Sequence, residues 1–227
     1  MAFREATFRF LEELEENNVR AWFEEHKDRY ESDVREPALA FIRAMRPHLA
    51  SVTPHFRAED KKVGGSLMRI HRDVRFSKDK APYKTNVGIQ FRHEAGADVH
   101  APGIYVHIDP HSAFVGVGCW MPEPGALDGI RQRIATDPDG FRAIVEEPSF
   151  RASFRRDEHG DALKRAPKGY DPDHPLVEEL KRKSHLASAP LSRAEVCSDD
   201  LPERVARHLA ATAPYLRFLC EAVGAPF

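Results

Sequence analysis

Eight lysines and arginines fall between Lys61 and Lys84, at positions 61, 62, 69, 72, 75, 78, 80 and 84, against two acids, Asp73 and Asp79. That is a local excess of six positive charges in a chain whose formal net charge is −2. Cations this dense repel one another, so a fold that gathers them must answer them with carboxylates or with an anionic ligand. Arginine offers a planar, two-pronged donor and lysine a mobile point charge, a mixture suited to phosphate or carboxylate. Pro82 fixes its own φ and holds Ala81 extended, which stiffens the loop 77–84 and lowers the entropy lost when it grips a ligand. The candidate ligand-binding residues here are Arg69, Arg72, Asp73, Arg75, Lys78, Lys80, Tyr83 and Lys84. Asp73, set between Arg69 and Arg75, is expected to stay ionised and to orient its neighbours rather than act as a base.

A second basic stretch, residues 164–175, adds Lys168 and Tyr170 as donors on an arm expected to reach over the first. Within it Gly169 permits a positive-φ turn and Asp173 reads as a helix N-cap. His71 and His107 are the plausible general bases by intrinsic pKa; in a catalytic site one of them would move a proton while the cations stabilise a phosphoryl or acyl oxyanion. Twelve histidines raise the question of a metal. His107, Asp109 and His111 share a face only if a strand runs on through Pro110, and Asp-Pro reads as a turn. His93, Asp98 and His100 show no spacing that demands convergence. No metal or cofactor is therefore assigned.

The glycines match neither a phosphate-binding loop nor a dinucleotide fingerprint, and there is no Gly-x-Ser-x-Gly elbow. Gly116 and Gly118 fall on one strand face, where they would let a helix or ligand approach closely. Trp22, Tyr30 and Trp120 sit in apolar periodic patterns and read as core or rim aromatics.

The elements that must carry these residues follow from periodicity. Residues 3–16 have apolar side chains at helical spacing; Asn17-Asn18 interrupts; Trp22, Phe23, His26, Tyr30 and Val34 form a second helical stripe. Pro37 closes that helix or opens a third, ending near residue 50. After Gly64-Gly65 the pattern alternates. Residues 66–76, 86–92, 104–108 and 112–120 read as strands, with Arg72 on the otherwise apolar face of the first. Short links favour an antiparallel meander, since parallel pairs need long crossovers. Helical signals return at 124–135, at 138–147 with Asp137 as N-cap, at about 174–187, and at 200–222. The expectation is an α+β fold in one domain over 1–227: helices 3–50, sheet 66–120, helices 124–222.

With 41% hydrophobic and 31% charged residues, the balance is that of a globular chain. A pI near 6.6 argues against a general nucleic-acid coat. Three scattered cysteines without zinc-type pairing suggest reduced thiols, and no window reaches the roughly 18 apolar residues of a membrane span. No apolar signal-peptide core follows the first residues, so a cytoplasmic location and no membrane partner are expected. Residues 5–36 hold eleven acids and five bases, so these helices could neutralise the basic segment internally.

Several segments taken together resemble one family. They are Asn17-Asn18 with Trp22-Phe23, Arg69-x-x-Arg72-Asp73-x-Arg75-Phe76, and Asp79-Lys80-x-Pro82-Tyr83-Lys84. Pro102-Gly103-x-Tyr105, Gly118-x-Trp120-x-Pro122 and Pro167-Lys168-Gly169-Tyr170 complete the set. The chain is similar over nearly its full length to a conserved-hypothetical family of bacteria and fungi, a domain of unknown function. The resemblance implies a self-contained domain and brings no activity, substrate, cofactor or catalytic residue with it. The leading expectation is a binder, and a candidate processor, of a small phosphate-bearing anion at the hairpin 69–84. The alternatives are a nucleic-acid-associated module and a scaffold whose basic segment is wholly paired with the acidic helices.

Overall fold

The computed structural model describes residues 3–96, 101–156 and 161–227. The chain opens with α1 (Glu5–Glu16), whose Phe8, Phe10, Leu11 and Leu14 are buried. The expected second helix is broken into α2 (Arg20–Glu25), α3 (Lys27–Arg29) and a π-helical segment, Tyr30–Arg35, that leads into α4 (Glu36–Val52). A π segment leaves backbone groups off the regular ladder. One of them, the Asp33 carbonyl, accepts a hydrogen bond of 2.6 Å from the hydroxyl of Thr7, a fully buried α1 residue. Pro37, at the start of α4, has no N–H to offer that carbonyl four residues earlier, and the Thr7 hydroxyl takes the place of the missing donor.

The sheet follows: β1 (Phe56–Arg57), β2 (Val87–His93), β3 (Gly103–Ile108) and β4 (Ala113–Cys119). Next come α5 (Pro124–Thr136), α6 (Pro138–Glu146) and α7 (Pro148–Ser153), then β5 (Arg155–Arg156), α8 (Val177–Lys181), β6 (His185–Pro190), α9 (Arg193–Val196) and α10 (Leu201–Ala222). The described strands make one antiparallel sheet in the order β1-β2-β3-β4-β6-β5. The α+β class and the β2–β3–β4 meander are those expected from alternation.

Three differences from expectation have local causes. Residues 66–76 form no continuous strand: only the bridges Leu67↔Ile89 and His71↔Tyr83 appear. This segment runs along β2's free edge, with Met68 N–H donating to the Gly88 carbonyl and Arg72 N–H to the Pro82 carbonyl. After Arg72 it curls onto itself, and Phe76, expected on the core face, is 95% exposed. The helix expected over 174–187 is the short α8 followed by β6, which completes the sheet beside β4. Asp173 does not cap α8; its own N–H donates to the Asp171 carboxylate in a turn.

Alternation gives the sheet two unlike faces. Val87, Ile89 and Phe91, Ile104, Val106 and Ile108, and Val115 and Val117 are buried together against the helices. Phe41 of α4 meets Phe91 there at 6.3 Å between ring centroids. Tyr215 and Phe218 of α10 pack with Phe150 and Phe141 of α7 and α6. Fully burying one such side chain is worth about 1.5–3 kcal/mol.

His185 is fully buried, and neither ring nitrogen has a hydrogen-bond partner among the described residues. Burial, with the charges of Arg156, Arg182 and Arg131 adding to it, lowers its pKa from 6.5 to about 3. Between those values the unfolded chain binds a proton that the folded chain refuses, so this residue removes stability as pH falls from about 6.5 toward about 3. The slope is up to about 1.4 kcal/mol per pH unit. His185→Leu is expected to shrink the loss of stability between neutral pH and about pH 4.5 relative to wild type, read from urea denaturation at each pH. Parallel pH dependences in the two proteins would refute that role.

Candidate functional site

The helical layer holds the basic hairpin at Tyr83. Asn18, between α1 and α2, donates from its side-chain amide to the Tyr83 carbonyl (3.0 Å) and accepts from the Tyr83 N–H (3.1 Å). A side-chain amide has the donor–acceptor pair of a peptide, so Asn18 stands in for a neighbouring strand. Tyr83 is buried, its ring stacked on Phe23 at 4.1 Å. It therefore anchors the hairpin from within the core.

Within the hairpin, charge is answered locally rather than by the acidic helices. Arg72 donates to Asp79 at 2.5 Å, and Arg75 meets Asp73 at 2.6 Å. The Arg75 guanidinium and backbone N–H hold the Asp73 carboxyl down to about 2, in keeping with an orienting role. Lys80 donates to the Val74 carbonyl. The acids of α1 turn elsewhere: Glu13 to Arg29, Glu5 and Glu12 to Arg193, and Glu15 to His111. Arg72 is thus a half-buried partner in a loop ion pair, with a side chain 30% exposed, and is not the lone cation on an apolar face that alternation implies.

Arg69, Lys78 and Lys84 have no carboxylate at ion-pair distance among the described residues. Lys84 is half-buried; that burial, and then the charge of Arg69, lower its pKa. A cation whose charged form is already disfavoured in this way is one that an incoming anion relieves. Asn86, two residues on from Lys84, shares the face of Gly88 and Gln90, its side-chain amide 3.5 Å from the Tyr105 hydroxyl.

That face carries chemistry that spacing alone did not reveal. His107 shares a 2.7 Å hydrogen bond between Nε2 and Asp109, and its Nδ1 lies 3.1 Å from the Tyr105 hydroxyl. Burial alone would raise the Asp109 pKa. Hydrogen bonds from His107, the backbone N–H groups of His111 and Ser112, and the Ser112 hydroxyl leave it lowered. An ionised Asp109 selects the His107 tautomer protonated at Nε2, so Nδ1 is free to accept from Tyr105, whose own pKa burial raises. The result is a relay from carboxylate through imidazole to phenol, with His107 stacked on Phe114 at 4.9 Å. His71, the other candidate base, is exposed, with its ring beside Tyr83.

The strand register sets Gln90, Tyr105, Gly116, Ser188 and Arg155 in one row across the sheet. All five line a cavity of about 720 Å³, with Met68, Phe114 and Trp120 among its walls. Small-molecule sites run at about 300–1,000 Å³. Gly116 leaves the floor open between Tyr105 and Ser188, while Gly118, at φ +129, is where the backbone passes the His185 carbonyl too closely for any side chain. Arg155, which donates to the Arg151 and Phe154 carbonyls, has no carboxylate partner among the described residues. Sequence reasoning missed Gln90, Tyr105, Ser188 and Arg155. The polar positions alternating with the apolar core residues of β2 and β3 were the available signal.

The second patch lies apart from the hairpin. Tyr170 sits by Asp128 and Arg131 of α5, and residues 161–163 pair with 181–183 on the approach to β6. Lys168 is exposed beside the positive-φ Gly169. Of the metal candidates, Asp98 and His100 lie outside the described residues, and His93 is buried, its Nε2 2.8 Å from the Pro226 carbonyl. Among the described residues no three metal-capable side chains gather, and no helix is long and apolar enough to cross a membrane.

A family model described as "Conserved hypothetical protein (DUF2461)" matches residues 6–218. The chain belongs to the DUF2461 family. No curated protein matches it. In this DUF2461 chain the matched region takes in the hairpin, the relay and every residue named for the cavity.

Two expectations follow for the hairpin. Asn18→Ala strands the Tyr83 N–H and carbonyl and should cost about 1–3 kcal/mol in chemical denaturation, with faster hydrogen exchange at the Tyr83 amide. Arg72→Ala removes a pair whose acid, Asp79, is solvent-exposed, and should cost under about 1 kcal/mol. A loss near 3–5 kcal/mol would restore the reading of Arg72 as a buried structural ion.

Proposed function

We propose that this protein binds a small anionic, phosphate-bearing ligand. Its anionic group is met by Arg69 and Lys84 at the root of the basic hairpin, and its body lies in the cavity on the helix-free face of the sheet. The observation that carries this reading is a cavity of about 720 Å³ lined by Met68, the residue before Arg69, which like Lys84 has no carboxylate at ion-pair distance among the described residues. Arg155 bounds the far end of the cavity. In the Tyr105–His107–Asp109 relay the Tyr105 oxygen can take a proton from a bound ligand while the phenolic proton passes to His107 Nδ1 and Asp109 stabilises the imidazolium. A module tracking a nucleic-acid backbone would draw on a long stripe of free cations. Here Arg72 and Arg75 are already engaged by Asp79 and Asp73, which favours the small ligand.

The test is a thermal-shift and amide-NMR titration with inorganic phosphate, pyrophosphate and ribose 5-phosphate. Binding of at least one should raise Tm and shift amides at Lys84, Gly88 and Gly116. At a hundredfold excess over Kd the stabilisation should reach about 2.7 kcal/mol. Arg69→Met with Lys84→Met should weaken that binding at least tenfold in a protein that remains folded. Unchanged melting and unchanged shifts with all three probes would overturn the reading.

A further inference from the structure

The cavity on the helix-free face has a cation of its own, on the strand farthest from β2. Arg155 ends the row Tyr105–Gly116–Ser188–Arg155; it is exposed and lines the hollow. Its Nη1 donates to the Arg151 and Phe154 carbonyls at 2.8 and 3.3 Å, which holds the guanidinium in place. The Nε and Nη2 donors are left without a partner among the described residues. Ser188, opposite Arg155 in the pairing of β5 with β6, is half-buried and lines the same hollow. Its hydroxyl makes no hydrogen bond among the described residues. A held guanidinium and a hydroxyl on strands about 4.8 Å apart suit the two oxygens of a carboxylate, and one cation matches its single charge.

The remaining side chains of the lining are largely apolar. Met68, Phe114 and Leu186 are half-buried around the hollow, and Trp120 is half-exposed at its rim. Apolar surface left open in a concave site, with few polar groups, marks a place for an apolar body. Gly116 keeps the floor low: the Phe114 ring leans across it, 3.5 Å from where a Cβ would stand. Tyr105 leaves the floor clear because its hydroxyl is turned toward β2, 2.8 Å from the position a Gly88 Cβ would take. In that row only Gly116 and Ser188 lie between Tyr105 and Arg155, whose strands are three spacings, about 14 Å, apart.

We infer that the cavity takes a ligand with an apolar aryl or acyl body ending in a carboxylate. The carboxylate lies on Arg155 and Ser188, and the body lies over Gly116 among Phe114, Leu186 and Trp120. This goes beyond the anion reading above and stands on cavity residues alone, with no contribution from Arg69 or Lys84. Met68, against Gly88 of β2, walls the opposite end, so a phosphate held at the hairpin would sit at the other end of the same body.

Calorimetric titration of the full chain with 4-phenylbutyrate decides it, against 4-phenylbutanol, which keeps the body, and acetate, which keeps the carboxylate. The acid should bind at least about tenfold tighter than either control. Arg155→Met should bring the acid down to the level of the alcohol and leave the alcohol's own affinity as in wild type. Gly116→Val, which fills the floor, should weaken acid and alcohol alike. No binding of the acid, equal binding of acid and alcohol, or an unchanged affinity in Arg155→Met would overturn the inference. The phosphate probes report on the hairpin separately. A response to them without binding of 4-phenylbutyrate sinks this inference alone, and the reverse leaves it standing without the anion reading. Should Arg155→Met not fold, the Nε–H signal of wild-type Arg155 decides in its place: it should shift with the acid and stay still with the alcohol, and the same response to both would overturn the inference.

Discussion

Side chains alternate across a strand, so burying Val87, Ile89 and Phe91 under the helices necessarily turns Gly88, Gln90 and Arg92 the other way. The same constraint applied to β3 sends Ile104, Val106 and Ile108 inward and Gly103, Tyr105 and His107 outward. The helices pack on the first face, and among the described residues those that line the cavity on the second come from strands and loops. Everything of chemical interest in the sheet is thus the complement of its core. The register then fixes which outward residues meet, placing His107 beside Phe114 and Tyr105 beside Gly116.

The hairpin shows how a dense charge cluster is divided. Its two acids each take one arginine, Asp79 engaging Arg72 and Asp73 engaging Arg75, and this closes the tip. What remains at the root, Arg69 and Lys84, has no carboxylate at ion-pair distance among the described residues, and the charge of Arg69 bears on Lys84. Net charge located the cluster; only the fold separates spent cations from available ones. The acidic helices, which balance the hairpin numerically, are bound to Arg29, Arg193 and His111 instead.

Much of the architecture was legible in the sequence because its signals are local. The period-2 runs of β2, β3 and β4, the proline-led starts of α5 and α6, and the Asp137 cap all lie within a few residues of what they specify. The rest depends on partners distant in sequence. β6 reads as helix continuation until β4 offers it an edge, and the two residues of β5 carry no periodicity at all. Asn18 reads as a helix break, and its grip on Tyr83 sixty-five residues away has no local trace. Tyr83 was placed among the binding residues by its basic neighbours, whereas the apolar partner that buries it, Phe23, lies in α2. The cavity residues were hidden for a related reason: Gln90, Ser188 and Arg155 become neighbours only once strands from three parts of the chain are aligned.

The Asn18–Tyr83 clasp has a mechanical corollary. It clamps the base of the loop to the helical layer, while the tip, closed by its own arginine–aspartate pairs and ending in the solvent-facing Phe76, meets no acid of the helices among the described residues. The loop is built as a cantilever, stiff where Lys84 leaves the clamp and compliant where Phe76 projects. Insertions or substitutions at its outer end would be absorbed as motion there, and the root cations would keep their place beside the sheet.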